Sequence, residues 1–422
     1  MGDFIPNNWK ISLLSELADI NPKFENKSDT PSNLMVSFIR MEDVSNSAKI
    51  QKLRIRPYSS VSKGFTNFRN HDVLLAKITP CFENGKGGYA QKLVNNTGFG
   101  STEFHVLRVK DDLNSIYIYH YVNSPAFRAI GERHMTGSAG QRRVTSDFLR
   151  TYPLIYPPLP EQKKIAKILT AVDTVIEKTQ AQIDKLNDLK TGMMQELLTK
   201  GIGRDGKPHT EFKESAVGLI PVGWECAKMT TLAKITDGAH HTPKYTSHGI
   251  PFIRVTDLKS ENIFSGNNKY ISLEEHLELI KRCKPETNDI LYSKNGTIGI
   301  TRLITWNTEF SIFVSLALIK IKNDKVLPEY LALLMDSPIV HEQIRTRSKQ
   351  GTVTNLHLEE IRDFDIPLPD LIEQKKVVNN LSALIAKIQS NDKKLQAQIR
   401  VKTALMQDLL TGKVRVTVDP ES

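Results

Sequence analysis

The chain has 422 residues, with 57 Lys and Arg against 47 Asp and Glu, a formal charge of +10 and a pI near 9.2. At 39% hydrophobic and 25% charged it has the make-up of a soluble protein, long enough for two or three domains. No run of about 18 apolar residues exists, which excludes a helical membrane span. The opening MGDFIPNNWK lacks the apolar stretch of a secretory signal. Cys81, Cys226 and Cys283 form no paired metal or redox motif and fit a reducing cytoplasm. The low aromatic content, 7%, argues against a large aromatic-lined cofactor site. The positive charge favours a polyanionic partner, nucleic acid before membrane, although a merely basic surface fits it equally well.

In chain order, residues 1–157 form a first module. Short β-branched runs broken by Gly, Asn and Pro read as strands, among them Met35–Arg40 and Asp72–Lys77. Ser115–Val122 reads as a short helix ahead of Ser124-Pro125. Tyr156-Pro157-Pro158-Leu159-Pro160 continues neither a helix nor a central strand and makes a stiff hinge. A spacer over 158–200 follows, helical from about residue 161 to 199. Its apolar seam, Ile165, Leu169, Val172, Ile176, Ile183, Leu186, Met193 and Leu197, alternates steps of four and three, as in a coiled coil. Thr179 and Lys190 interrupt it. A polar linker, 201–217, leads to a second module over 218–369. A second spacer covers 370–413 with the seam Val377, Leu381, Leu384, Ile388, Leu395, Leu405 and Leu409, broken by Asn391, Gln398 and Lys402. Residues 414–422 are a tail.

The two halves repeat each other, and repeats outrank local motifs. Glu161-Gln162-Lys163-Lys164 returns as Glu373-Gln374-Lys375-Lys376, and Met194-Gln195-Glu196-Leu197-Leu198 as Met406-Gln407-Asp408-Leu409-Leu410, with no gap between. Pro6-Asn7-Asn8-Trp9 returns as Pro221-Val222-Gly223-Trp224, and Phe38-Ile39-Arg40 as Phe252-Ile253-Arg254. Asp72-x4-Lys77 returns as Asp289-x4-Lys294, and Ser124-Pro125 as Ser337-Pro338. Between these landmarks the modules diverge, which suits two readers of different targets. A helix of about 60 Å cannot bury its stripe against one small domain. Two such helices are expected to pack on each other, antiparallel if the modules are related by a two-fold axis.

Carried by Pro158-Leu159-Pro160-Glu161-Gln162-Lys163-Lys164-Ile165, Pro367-Leu368-Pro369 with Glu373-Gln374-Lys375-Lys376, the two helix ends and Leu219-Ile220-Pro221-Val222-Gly223-Trp224-Glu225, the whole chain resembles the specificity (S) subunit of type I restriction-modification enzymes. The resemblance implies an α+β protein: two pseudo-two-fold-related α/β target recognition domains joined by two long helices packed as an antiparallel coiled coil. It implies a non-catalytic subunit that reads a bipartite site on double-stranded DNA, one half per domain. Two methyltransferase (M) subunits would dock on it and bring S-adenosylmethionine. Two restriction (R) subunits would bring ATP and Mg2+. No cofactor or metal is expected in this chain, and the complex would be cytoplasmic. The first hinge departs from the second, Leu368-Pro369-Asp370-Leu371-Ile372, which bears on domain orientation.

The competing readings are a single-chain methyltransferase or nuclease, and a coiled-coil scaffold that never touches DNA. An adenine methyltransferase needs an Asn/Asp-Pro-Pro-aromatic loop. The nearest strings, Thr79-Pro80-Cys81-Phe82 and Tyr156-Pro157-Pro158-Leu159, lack the amide or carboxylate. No G-x-x-x-x-G-K-S/T loop is present, and Gly85-Lys86-Gly87-Gly88 reads as a turn. The Asp-x4-Lys pairs lack a further acid beside the lysine. Their aspartates are expected to turn into a strand, and their lysines to face solvent or phosphate. His240-His241, adjacent, would point apart on a strand and make a poor metal pair. Candidate DNA contacts are polar and basic residues of the divergent loops: Lys86, Gln141, Arg142 and Arg143 in the first module, and His241, Lys244, Lys294, Asn295, Lys349 and Gln350 in the second. For any one of them a solvated surface charge is the competing explanation. Arg40 and Arg254 recur in both modules and fit the shared scaffold.

Overall fold

The structure, a computed structural model, describes residues 5–418 except 26–28, 112, 139, 261, 265–267 and 348–354. The chain divides into two units, Met1–Ala181 with Asp392–Ser422, and Gln182–Asn391. The first long helix is continuous over Leu159–Thr199 and the second over Leu371–Leu410. Each helix therefore gives one half to each unit. The first begins two residues ahead of the expected start, because Pro160 sits in its first turn, where no intrahelical N–H is required. Each ends at a glycine in the left-handed region, Gly201 and Gly412, both at φ 70°.

In the first unit, Ala18–Ile20, Phe104–Val109, Val73–Ala76 and Gly87–Tyr89 form an antiparallel sheet in that spatial order. Val73–Ala76 is buried at every position, as its unbroken apolar run requires. A second sheet orders Arg54–Pro57, Met35–Ile39, Thr97–Gly100 and Thr66–Arg69, with Met35–Ile39 and Thr97–Gly100 parallel. Lys10–Leu13 pairs with Pro153–Tyr156 and ties the start of the module to its end. The expected helix is present at Ser115–Val122, capped by Asn114. The expected turn at Gly85–Gly88 is instead half strand. Gly87 and Gly88 lie so close to the Leu74 carbonyl and the Ile50 side chain that a Cβ at either would overlap them.

The second unit repeats this plan. Ala233–Asp237, Leu316–Ile321, Ile290–Ser293 and Thr301–Leu303 form the antiparallel sheet, and Lys269–Ile271, Ile250–Ile253 and Ser311–Ile312 the mixed one. Glu225–Lys228 pairs with Asp365–Leu368. The segment expected as a linker carries part of a hairpin, Phe212–Ser215 with Gly218–Pro221.

The helix halves pack antiparallel within each unit. In the first, Ile165 and Leu169, from early in the first helix, share a core with Met406, Leu409 and Leu410, from late in the second. Asp173 meets Lys402 at 2.7 Å between them. In the second unit, Met194 and Leu198 share a core with Val377 and Leu381. Ile183, Ile388 and Leu395 are buried, and Val172, Ile176, Leu186 and Leu384 half-buried. Each fully buried Leu or Ile contributes about 1.5–3 kcal/mol. The stripe is thus shared between helix pairing and the module core, a wider contact than a pure two-helix seam. The polar breaks Thr179 and Asn391 are buried. Each satisfies itself inside its own helix, Thr179 Oγ1 donating to Val175 O and Asn391 Nδ2 to Lys387 O, both at 2.9 Å.

The repeated Glu-Gln dipeptides explain why that motif returns. Buried Glu161 accepts from Trp9 Nε1 at 3.3 Å and from Arg415 at 2.7 and 2.8 Å. Buried Glu373 accepts from Trp224 Nε1 at 3.0 Å, Ile202 N at 2.8 Å and His209 Nε2 at 2.9 Å. Gln162 accepts from Asn114 N and donates to Pro157 O; Gln374 accepts from Leu327 N and donates to Lys325 O and Pro369 O. The first turn of each helix is therefore bolted to the tryptophan that opens its module.

Candidate nucleic-acid interface

The paired Asp-x4-Lys strands are scaffold at their acidic end. Asp72 Oδ2 accepts from Arg69 N at 2.8 Å, turning the chain into the strand, and its carboxylate takes both arms of Arg108 at 2.8 and 3.0 Å. Asp289 does the same with Glu286 N at 2.8 Å and Lys320 at 2.7 Å. Arg40 N and Arg254 N likewise bond to Asp43 and Asp257, so those repeated arginines close a local turn through their backbone. With its aspartate held this way, neither pair offers a free carboxylate beside its lysine. Among the described residues no cluster of three or more His, Cys, Asp or Glu could hold a metal ion.

In the first module the candidate contacts are brought together at one loop cluster. Met135–Thr136 and Arg143–Val144 form a short hairpin whose tip carries Gln141, exposed. The hairpin is fastened beside Lys77–Thr79, with Thr79 N donating to Arg142 O and Val144 N to Lys77 O. Arg142 lies 3.5 Å from Glu83. Arg143 is gripped by Glu103 at 2.9 and 3.1 Å, a bond that raises its pKa further. Lys86 Nζ donates to Met41 O at 3.1 Å, and its own carbonyl is held by buried Arg128 at 3.2 Å. Beneath the hairpin, His105 Nε2 donates to Val144 O at 2.8 Å and Nδ1 accepts from Asn21. Burial holds His105 down to about 4, so it is neutral.

In the second module His241 is exposed and bonded to Glu275 at 2.9 Å, and Lys244 is exposed. Lys294 corrects the expectation of a solvent-facing lysine. Its side chain is 9% exposed, with Nζ 3.4 Å from buried Asp237. Asp237 also binds His240 at 3.0 Å and Arg282, so it is a hub joining parts of the chain far apart in sequence. Asn295 is half-buried, pairs through its backbone with Asn355, and its buried Oδ1 has no hydrogen-bond partner among the described residues. Lys349 and Gln350 lie outside the described residues.

Sequence reasoning gave Asp237 no role, since nothing local marks a buried charge there. It also passed over Arg56 and Phe65. These stand with Phe38 and Arg40 around an open cavity of about 480 Å³ in the first module. The dense basic string Arg54-Ile55-Arg56 was the available signal.

A duplicated α/β module, each copy bolted to a long helix, defines a protein of two repeated α/β domains with paired long helices. The chain belongs to the family described as "Type I restriction modification DNA specificity domain", which matches residues 6–188 and 221–400, one stretch per copy. It is 38% identical over 188 residues to the type I restriction enzyme EcoEI specificity subunit of Escherichia coli, 43% of this chain and 31% of that protein. It therefore spans about a third of the length of this relative. Over 290 residues it is 27% identical to the MjaVIII specificity subunit of Methanocaldococcus jannaschii, 67% of each chain. Its fold resembles that of the S subunit of the type I restriction-modification system of M. genitalium, at TM-score 0.55 and 15% identity, covering 96% of this chain and 97% of that one. A chain solved in work on complex assembly and conformational transition of the type I R-M system is similar at TM-score 0.56 and 17% identity, covering 98% and 100%. No helix among the described residues is long and apolar enough to cross a membrane.

Proposed function

We propose that this chain is the non-catalytic specificity subunit of a cytoplasmic type I restriction-modification complex. It reads a bipartite site on double-stranded DNA, one half per module, and docks two methyltransferase and two restriction subunits. Those partners supply S-adenosylmethionine and ATP with Mg2+. The observation that carries this reading is the duplication itself: matching anchors at Glu161 and Glu373 hold modules whose loops differ. The charge of +10 supports a phosphate-dominated, salt-sensitive affinity. Lys86, Gln141, Arg142, Arg143, His241, Lys244, Asn295, Lys349 and Gln350 are the proposed contacts. Lys294 leaves that set because its ammonium is committed to Asp237. The two helices would set the gap between half-sites.

The test is to co-express the chain with a methyltransferase partner and map N6-methyladenine across the host genome. Methylation at one split motif of fixed gap is expected. Replacing residues 218–369 with another module should change one half of the motif and leave the other. Inserting seven residues into each helix should lengthen the gap. An uninterrupted motif, or methylation without sequence preference, would overturn the reading.

A further inference from the structure

We propose that the cavity of the first module takes up a single unpaired nucleobase from bound DNA; this rests on the DNA-reading function above and adds a site to it. Phe38 forms the floor, 8% exposed. Phe65 stands edge-on to it, with ring centres 4.9 Å apart and planes at 88°, and leaves 42% of its surface in solvent. Met41 and Val61 complete an apolar wall, and Arg40 and Arg56 stand at the rim of the 480 Å³ space.

Three observations favour a base over another occupant. An exposed ring beside an open apolar floor offers the face on which any base stacks. The rim cations differ in their commitments. Arg54, on the same strand, is locked in a two-armed pair with buried Asp43 at 2.8 and 2.9 Å. Arg56 is exposed, and Arg40 spends one arm on exposed Glu42 at 3.0 Å. These two guanidinium groups are placed for the phosphates flanking an extruded nucleotide. The second module supplies the contrast. Phe252, in the place of Phe38, is fully buried under its own neighbours, with Tyr245 and Phe313 at 6.0 and 6.1 Å. Tyr245 is nearly as exposed as Phe65, at 37%, but its ring carries the Lys269 ammonium 5.7 Å from its centre.

The experiment uses the full-length chain and a labelled 30-base-pair duplex. Affinity is compared for the fully paired duplex and for the same duplex with one unpaired nucleotide, each of the four bases in turn. At least one bulged duplex should bind about tenfold tighter than the paired one. Phe65→Ala should abolish that preference, bringing the ratio of bulged to paired affinity to about one. Tyr245→Ala, in the second module, should retain the preference. Because Phe65 is partly exposed, its truncation should leave the thermal unfolding profile in place. Paired-duplex binding with no bulge preference, or a preference that survives Phe65→Ala, overturns the pocket alone. Failure to bind any duplex overturns the DNA-reading function and the pocket with it.

Discussion

Truncating the two buried glutamates should have unequal costs, and the inequality follows from their partners. Glu373→Ala removes the acceptor of three donors. Trp224 is 1% exposed and the Ile202 amide is held in a half-buried turn, so neither recovers water easily. An orphaned buried donor costs about 1–3 kcal/mol, which puts this substitution at about 3 kcal/mol. Glu161→Ala orphans Trp9 Nε1, whose bond is longer at 3.3 Å, and frees Arg415. Arg415 is 41% exposed and can return to solvent, so its share is discounted and the total falls to about 1.5 kcal/mol. For units of this size, 1 kcal/mol shifts Tm by about 2–4 °C. Glu373→Ala should lower the affected transition by about 9 °C and Glu161→Ala by about 4 °C. Differential scanning calorimetry gives the shifts. Amide hydrogen exchange should show protection lost over residues 371–381 in the first variant and 159–169 in the second. If Glu161→Ala costs as much as Glu373→Ala, counting partners by burial is the wrong way to rank these locks.

Two further outcomes are expected. Asp173 is 5% exposed and lies against Lys402 at 2.7 Å and Lys49 at 3.6 Å, so Asp173→Ala and Lys402→Met should couple by about 1–3 kcal/mol in a double-mutant cycle of urea unfolding; strictly additive losses would show that the pair does not act directly. His105 and His120 are each held down to about 4, chiefly by burial, against about 6.5 when unfolded. Between those values the unfolded chain takes up protons that the folded chain refuses. Their contribution is therefore intact above about pH 6.5 and declines as pH falls toward about 4, by on the order of 3 kcal/mol for each histidine. A His105→Gln, His120→Gln variant should show a smaller drop in urea midpoint between pH 7 and pH 4.5 than the parent; an identical drop would assign the acid sensitivity elsewhere.

The long helices and the duplication were legible because each has a local signature: a heptad and a repeated string. The pairing of the helices followed from length, since a stripe on so long a rod needs a partner, and its antiparallel sense from a two-fold relation between the modules. The partners of the loop cations were not legible. Lys294 looks like any strand-end lysine until the fold brings Asp237 to it from another strand. Arg142 and Arg143 look free until Glu83 and Glu103 arrive. Such pairings are set by tertiary approach between distant segments, and no window of sequence contains both members. The Gly87-Gly88 strand failed for a related reason: glycine was there for close approach to Leu74 and Ile50, where a turn was the local reading.

The pattern of what repeats separates two kinds of residue. Asp72 with Arg108 and Asp289 with Lys320 do the same work with different cations, so the two copies share the geometry of that turn and differ in its cation. Glu161 and Glu373 keep the tryptophan and change everything else: Arg415 in one copy, His209 and a backbone amide in the other. Positions whose partners are fixed in both copies hold the module to its helix. Positions whose partners differ, such as Phe65 and Arg56 in one module and Tyr245 and Lys269 in the other, are free to be remodelled without loosening that hold. Under the proposed function, a new target is acquired by rewriting loops between Trp9 and Glu161, or between Trp224 and Glu373, at little cost to the bolts.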